Sequence, residues 1–409
     1  MVTRRITLTV AAAATIALAA SSFAPASAGH GDHSRHGHHD AELRTVVDGL
    51  DGPRGVDALG HGLTLVTETD GTFSLVIEGR RGWHGQHKHG RYRHTREPQV
   101  IELGQLPTSF APAIAAGKHG TVWLLTGGGA PPEDDPQVAS LAADEPTPAA
   151  GATLFKWRPG WDAPVAFADI AAYQATDPDP YDLEGVPEDS NPFGLAALDD
   201  GGVLVADAAG NDLLRVSRSG EISTVARLKP REVVTPEGLP GAGTTVPAEA
   251  VATSVTVGDD GYWYIGELRG YPATPGTSEI WKVRAGTTDA TCDPESPWGA
   301  CKRYADGLTS IVDLGAGPKG IYAVTLSKMS WLAVESPTPV PGAEIGGLFL
   351  VSSGHRGHHH YRGGHGSHGS ATITELVPDQ LVLPGGVDVA GDPYIVGPVF
   401  GPGSLMKIS

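Results

Sequence analysis

From residue 42 onward the chain alternates short apolar runs, rich in Val, Ile, Leu and Thr, with clusters of Gly, Pro, Asp and Asn. No stretch carries the period of about 3.6 residues that marks an amphipathic helix, so the pattern predicts many short strands joined by tight turns. Aligned against itself, the chain repeats one unit: an apolar strand, a Gly/Asp turn, a second apolar strand ending near an acid, then a polar loop and a hairpin. The clearest copy is NPFGLAALDDGGVLVADAAGNDLLRVSRSGEISTVARL, residues 191–228. Its strands are predicted over 194–198, 203–207, 212–217 and 222–227, with DDGG and RSG supplying the positive-φ positions that hairpins need.

TSVTVGDDGYWYIGEL with SEIWKVRAG and CKRYADGL repeats the unit, as do GPRGVDALGHGLTLVTET, APAIAAGKHGTVWLLTGG and SIVDLGAGPKGIYAVTLS with their following strands. A further copy, LPGGVDVAGDPYIVGPVFGPGSLMKIS, ends after three strands. The missing fourth is available in AELRTVVDGL, residues 41–50, which precedes the first copy with nothing else to pair with. The fold class predicted is therefore all-β: a six-bladed β-propeller over 42–409 whose last blade is closed by an N-terminal strand, an arrangement that removes the open edge of a linear array. A pair of β-sandwiches does not account for such a repeat.

The stretches NPFGLAALDDGGVLVADAAGNDLLRV, VATSVTVGDDGYWYIGELRGYP, LTSIVDLGAGPKGIYAV and LPGGVDVAGDPYIVGP resemble blades of the ScyD/ScyE family of secreted proteins, itself similar to NHL and gluconolactonase-like propellers. The resemblance covers nearly all of 42–409 outside the histidine-rich insertions and long loops. It implies a propeller and an exported protein, without an assigned reaction. The wider gluconolactonase-like group implies a divalent metal, often calcium, in the axial mouth, held by acidic and Asn ligands. Asn191 stands where such a ligand could enter, whereas the first blade begins GPRG and offers no carboxylate at its strand start.

Residues 1–28 read as a signal peptide: Arg4 and Arg5, an Ala-rich apolar run, then Ala26-Ser27-Ala28 as a cleavage site. A twin-arginine route lacks the usual bulky residue after the arginine pair, and the apolar run is short for a membrane anchor. The protein is expected to be secreted, without stable membrane insertion. A formal net charge of −18, more negative once Arg4 and Arg5 are removed, argues against nucleic acid as a partner and leaves a small-molecule or protein ligand open. A monomer is expected. In an oxidising compartment Cys292 and Cys301, on either side of DPESPWGA, are expected to close one short loop as a disulfide with a local effect.

All of the seventeen histidines but His61 and His119 fall in three clusters. His30, His33, His36, His38 and His39 lie in a tail, residues 29–41, just before the borrowed strand. His84, His87, His89 and His94 lie in an insertion at 80–97, between the third and fourth strands of blade 1. His355, His358, His359, His360, His365 and His368 lie at 353–371, at the same point of blade 5. Third-to-fourth-strand junctions share one face of a propeller, and blades 5, 6 and 1 are consecutive, so three histidine segments should share one rim. Neutral imidazole is a ligand for Zn²⁺, Cu²⁺ or Ni²⁺, with copper favoured. The same tracts also read as solvated low-complexity insertions, and their local basicity leaves haem or a polyanion as a further alternative. His61 and His119 read as turn residues.

On the opposite face, Pro-rich loops crowd Glu133, Asp134, Asp135, Asp177, Asp179, Asp182, Glu184, Glu188 and Asp189 into either a solvated rim or a Ca²⁺-attracting mouth. Candidates to face the axis are Glu68, Asn191, Asp207, Asn211, Glu267 and Arg269, with Asp207 and Asn211 equally readable as turn residues. No catalytic residue is identifiable: G-x-S-x-G, H-E-x-x-H and a phosphate-cradling glycine loop are all missing. The function expected is an exported binding or scaffold propeller that takes up transition metal through its histidine loops. The alternative is a metal-dependent hydrolase or lactonase using the axial mouth.

Overall fold

Tight turns set the strand breaks. Gly201, Gly220 and Gly261 hold φ of 89°, 91° and 79°, which a side chain would strain, and each closes a hairpin between apolar strands. His61 and His119, at φ of 56° and 57°, occupy first-to-second-strand turns as the sequence suggested. The structure is a computed structural model describing residues 41–79, 81–83, 93–95, 97–127, 151–353 and 371–409, with backbone alone at 81–83 and 93–95.

Six blades form a ring. Blade 1 comprises Val56–Gly60, Leu63–Thr67, Thr72–Ile77 and Gln99–Gln105, and blade 2 comprises Ala113–Ala116, Val122–Thr126, Thr153–Trp157 and Val165–Asp169. Blade 3 is Pro192–Ala197, Val203–Asp207, Asp212–Val216 and Ile222–Leu228, and blade 4 is Ala252–Val257, Tyr262–Glu267, Ser278–Arg284 and Cys301–Leu308. Blade 5 is Ile311–Gly317, Gly320–Thr325, Gly347–Ser352 and Thr372–Leu376. Blade 6 takes Gly386–Ala390, Asp392–Gly397 and Pro402–Ile408 from the C-terminal end and Leu43–Asp51 from the N-terminal end. That last pairing is antiparallel, from Leu43 opposite Ile408 to Asp51 opposite Pro402, and it closes the ring.

Alternation along each strand sends apolar side chains into the spaces between blades. Between blades 3 and 4, Leu204, Leu213, Ile265 and Trp281 are fully buried together, each large side chain contributing about 1.5–3 kcal/mol by leaving water. Among the described residues two short α-helices lie in connections: Ile170–Gln174, whose N-terminus is capped by the Asp169 carboxylate accepting from the Ala172 N–H, and Trp331–Val334, capped by Ser330. Among the described residues no helix is long and apolar enough to cross a membrane.

Cys292 and Cys301 are joined as a disulfide, but its reach is wider than the local loop expected. The segment Ala290–Cys292 leaves blade 4 and runs parallel to the outer strand of blade 3, with Ala226, Arg227 and Leu228 opposite Ala290, Thr291 and Cys292. Cys301 begins the outer strand of blade 4. The bridge therefore clasps two blades, and it covers part of an edge that would otherwise present unpaired backbone groups.

Antiparallel order puts the first-to-second and third-to-fourth strand connections on one face, called here the turn face. The second-to-third connections and the links between blades lie on the other, the connection face. The insertion in blade 1, read from sequence as a loop, begins and ends as a hairpin pairing Arg81–Trp83 with Arg93–Thr95. Ile77 already faces Gln99, so the chain leaves and returns at pairing distance, and the hairpin forms a separate two-stranded sheet beyond the blade.

Candidate functional site

The first strands of all six blades surround an axial cavity of 210 Å³. Along these strands burial relaxes toward the turn face: Ala113, Ile114 and Ala115 are buried while Ala116 is partly exposed, and Val56 is buried while Asp57 and Ala58 are partly exposed. The cavity is thus closed toward the connection face and opens toward the turn face. Its floor is Arg54, whose Nη1 donates to the Ala111 carbonyl at 3.0 Å and whose Nη2 donates to the Phe193 carbonyl. The guanidinium lies 3.6 Å from the Phe193 ring centroid and 5.3 Å from that of Phe110, a cation–π stack that ties blade 1 to blade 3 across the axis. Gly55 permits this approach, since a Cβ there would sit 2.6 Å from the Pro112 carbonyl oxygen. Burial lowers the Arg54 pKa to about 10, partly offset by the Asp313 charge.

Three carboxylates line the wall, and each accepts from the main chain of the next blade. Asp57 Oδ2 accepts from Ala116 N at 2.7 Å, Asp313 Oδ2 from Val387 N at 2.8 Å and Asp388 Oδ2 from Ala58 N at 2.7 Å. In blade 4 the equivalent bond comes from the Thr256 hydroxyl, which accepts from Ala316 N. Burial pushes Asp57 and Asp313 to about 7, with the Asp388 charge adding to both, and burial raises Asp388 as well. Sequence reasoning passed over these residues by inspecting strand starts; the signal available was the Val-Asp pair inside the first strand of blades 1, 5 and 6, at 56–57, 312–313 and 387–388.

None of the six residues expected at the axis lines this cavity. Asp207 is fully buried at the end of its strand, and it accepts from Ser190 Oγ at 2.6 Å and from the N–H groups of Asn191, Gly210 and Ala209. Asn211 sits at φ 49°, donates to Asp179 Oδ2 at 3.0 Å and accepts from Val251 N at 2.7 Å. Asp207 satisfies the donors of its own turn, whereas Asn211 joins its turn to the segment entering blade 4. The partly buried Asn191 packs its side-chain oxygen into space left by Gly127. Glu68 accepts from Asp51 N at 2.7 Å, and burial raises its pKa.

Glu267 and Arg269 belong to a buried ion network at the edge of blade 4. Arg269 bonds Glu267 and, at 3.2 Å, Glu279; Glu279 also meets Arg303; and Arg231 meets Asp306 at 2.7 Å. Trp281 Nε1 donates to the other Glu267 oxygen. Burial pushes both glutamates up, and the facing guanidinium groups pull them back. Acids and arginines balance here only because strands from distant parts of the chain meet, which fits a structural role better than ligand reading.

The histidines expected to bind metal, and Glu133, Asp134 and Asp135, lie outside the described residues, apart from the backbone of His94 in the hairpin. Their mounts are described. Ile77 pairs with Gln99, Ser352 pairs with Thr372, and Glu42 exchanges main-chain hydrogen bonds with Ser409; all three points lie on the turn face, on blades 1, 5 and 6. Among the described residues no group of three or more His, Cys, Asp or Glu is placed to hold a metal ion. The gluconolactonase-like resemblance implies an axial divalent metal; among the described residues Asp57, Asp313 and Asp388 are not grouped to hold one, and each uses one oxygen to accept from the next blade's backbone amide.

No protein-family model matches the sequence, and no curated protein matches it. Solved structures do. The PQQ-bound aldose sugar dehydrogenase from Streptomyces coelicolor is 13% identical, with a TM-score of 0.48, over 90% of this chain and 99% of that one. A putative oxidoreductase (glucose dehydrogenase) from Thermus thermophilus is 13% identical, with a TM-score of 0.45, over 90% and 100%. Virginiamycin B lyase from Staphylococcus aureus is 13% identical, with a TM-score of 0.41, over 90% and 99%. The chain resembles these proteins as a six-bladed β-propeller, and at this identity the likeness is one of fold alone.

Proposed function

We propose that this protein is an exported binding or scaffold propeller, akin to the ScyD/ScyE family, that captures Zn²⁺, Cu²⁺ or Ni²⁺ through histidine segments on its turn face. The observation that carries this reading is the common mount: the three histidine-bearing segments leave the fold on one face of three consecutive blades. Segments mounted on one face can contribute imidazoles to a shared ion, which would raise the effective ligand concentration over that of a free peptide. Histidine tracts rich in Gly, Arg and Ser suit capture better than catalysis, which needs few ligands and a supporting shell.

Calorimetry with Zn²⁺, Cu²⁺ and Ca²⁺ tests it, on the chain from residue 29 onward and on a version lacking 355–368. The expected result is tight Zn²⁺ and Cu²⁺ binding that weakens below about pH 6.5 as protons compete for the ring nitrogens. Deleting 355–368 should lower affinity at the remaining segments as well as stoichiometry. Unchanged affinity per remaining site would show that the segments act separately, and no transition-metal binding by the intact protein would overturn the reading.

A further inference from the structure

The connection face carries exposed apolar side chains that the fold does not use. Leu183, Val186, Val234 and Tyr271 are 48%, 47%, 53% and 37% exposed. They come from three segments: the link between blades 2 and 3, the hairpin Arg231–Val234 with Thr245–Ala248, and the second-to-third-strand loop of blade 4. Hydrogen bonds tie these segments together. Glu249 Oε1 accepts from Leu183 N at 2.7 Å, the Glu249 carbonyl accepts from Gly270 N at 2.8 Å, and Thr274 Oγ1 donates to the Val234 carbonyl at 2.8 Å. The four side chains therefore share one neighbourhood, held by a hydrogen-bonded frame.

The charge around them has one sign. Glu184, Glu188, Asp189, Glu232 and Glu237 are exposed on the same segments, and residues 175–191 contain no Lys or Arg. The nearby cations are engaged: Lys229 pairs with Asp293 at 2.7 Å and Arg231 with Asp306 at 2.7 Å. Burial first, and then the charges of Glu184, Asp179 and Asp182, together raise Glu249 to about 7, against the pull of the Leu183 N–H, as expected where like charges crowd.

We infer that this patch of the connection face, built around Leu183, Val186, Val234 and Tyr271, is a docking surface for a basic polypeptide that presents apolar side chains between lysines or arginines. Apolar groups supply the contact that excludes water, and the surrounding carboxylates select a cationic partner and speed its arrival. The surface lies on the face away from the histidine mounts, so it does not depend on metal binding.

The test uses the whole chain from residue 29 and a labelled synthetic peptide of alternating Lys and Leu, with oligolysine of equal charge as comparator, read by fluorescence anisotropy. The Lys/Leu peptide is expected to bind about tenfold or more tightly than oligolysine, and binding should fall as salt rises. L183S/V234S and E184Q/E237Q are each expected to weaken it severalfold or more, while V100S/I101S, on the exposed outer strand of blade 1, should leave it unchanged. Hydrogen exchange on the unsubstituted protein gives a readout independent of variant folding: the peptide should protect 181–189 and 231–248. Equal binding of oligolysine, protection elsewhere, or equal loss in V100S/I101S would overturn the inference. So would sedimentation as a dimer that L183S/V234S dissolves, because the occupant would then be a second copy of this chain.

Discussion

Replacing Cys292 and Cys301 with alanine separates two descriptions of the disulfide. The bridge spans a sequence separation of 9, and closing so short a loop is worth about 2.6 kcal/mol in the chain-entropy account. If that were its whole role, the damage would stay within the loop. The clasp geometry adds more: Ala290–Cys292 pairs with the outer strand of blade 3, the Cys292 carbonyl accepts from Lys229 N at 3.0 Å, and Lys229 reaches Asp293. The double variant should therefore lose roughly 3 kcal/mol, a fall of roughly 4 °C in Tm. Hydrogen exchange by mass spectrometry locates the loss. Amides of Val225, Ala226, Arg227 and Leu228 should exchange faster together with 290–292, while the first strand of blade 3 stays protected. If exchange quickens only between 285 and 301, the clasp is not holding blade 3 and the reasoning fails.

Two further substitutions probe the axial cavity. Arg54→Met leaves the Ala111 and Phe193 carbonyls without their charged donor and should cost about 3 kcal/mol in urea unfolding; Arg54→Lys cannot make both bonds and should recover less than half. A loss below about 1 kcal/mol would show that the floor does not bind the blades together. Asp57 is held near 7 when folded, above its usual value, so the folded state holds the extra proton and the contribution of this group is most favourable below about pH 4, declines to about pH 7 and is flat beyond. Asp57→Asn keeps an acceptor for Ala116 N; it should match the parent at pH 4, exceed it at pH 8 and flatten the slope between. At about 1.4 kcal/mol for each pH unit the ceiling is about 4 kcal/mol, lowered by water in the cavity, and equal slopes in urea unfolding across this range would refute the assignment.

The ring and its closure were legible because they depend on local alternation and on counting: Val203–Asp207 and Thr372–Leu376 fall where the turns predict. The unpaired composition of 41–50 also had one available partner. The axial carboxylates were missed although a Val-Asp pair repeats in three blades, because their role comes from facing the next blade's backbone. Glu267 and Arg269, adjacent to a turn, read as a ligand pair until Glu279, Arg231 and Arg303 arrive from other strands to bury them. The parallel strand at Ala290–Cys292 has no local signature, since a three-residue segment says nothing of a partner lying on another blade. The apolar patch was invisible for a related reason: exposure of Leu183 or Val234 is decided by what fails to pack on them.

Pairing Leu43 with Ile408 has a consequence in time. The strand made early in synthesis remains single until Pro402–Ile408 emerges, so the nascent chain passes through an open arc with two bare ends. Closure then comes late and in one step, the most non-local contact the molecule has to find. A chaperone would have its greatest opportunity in that interval, and a short C-terminal deletion should be felt at the opposite terminus first.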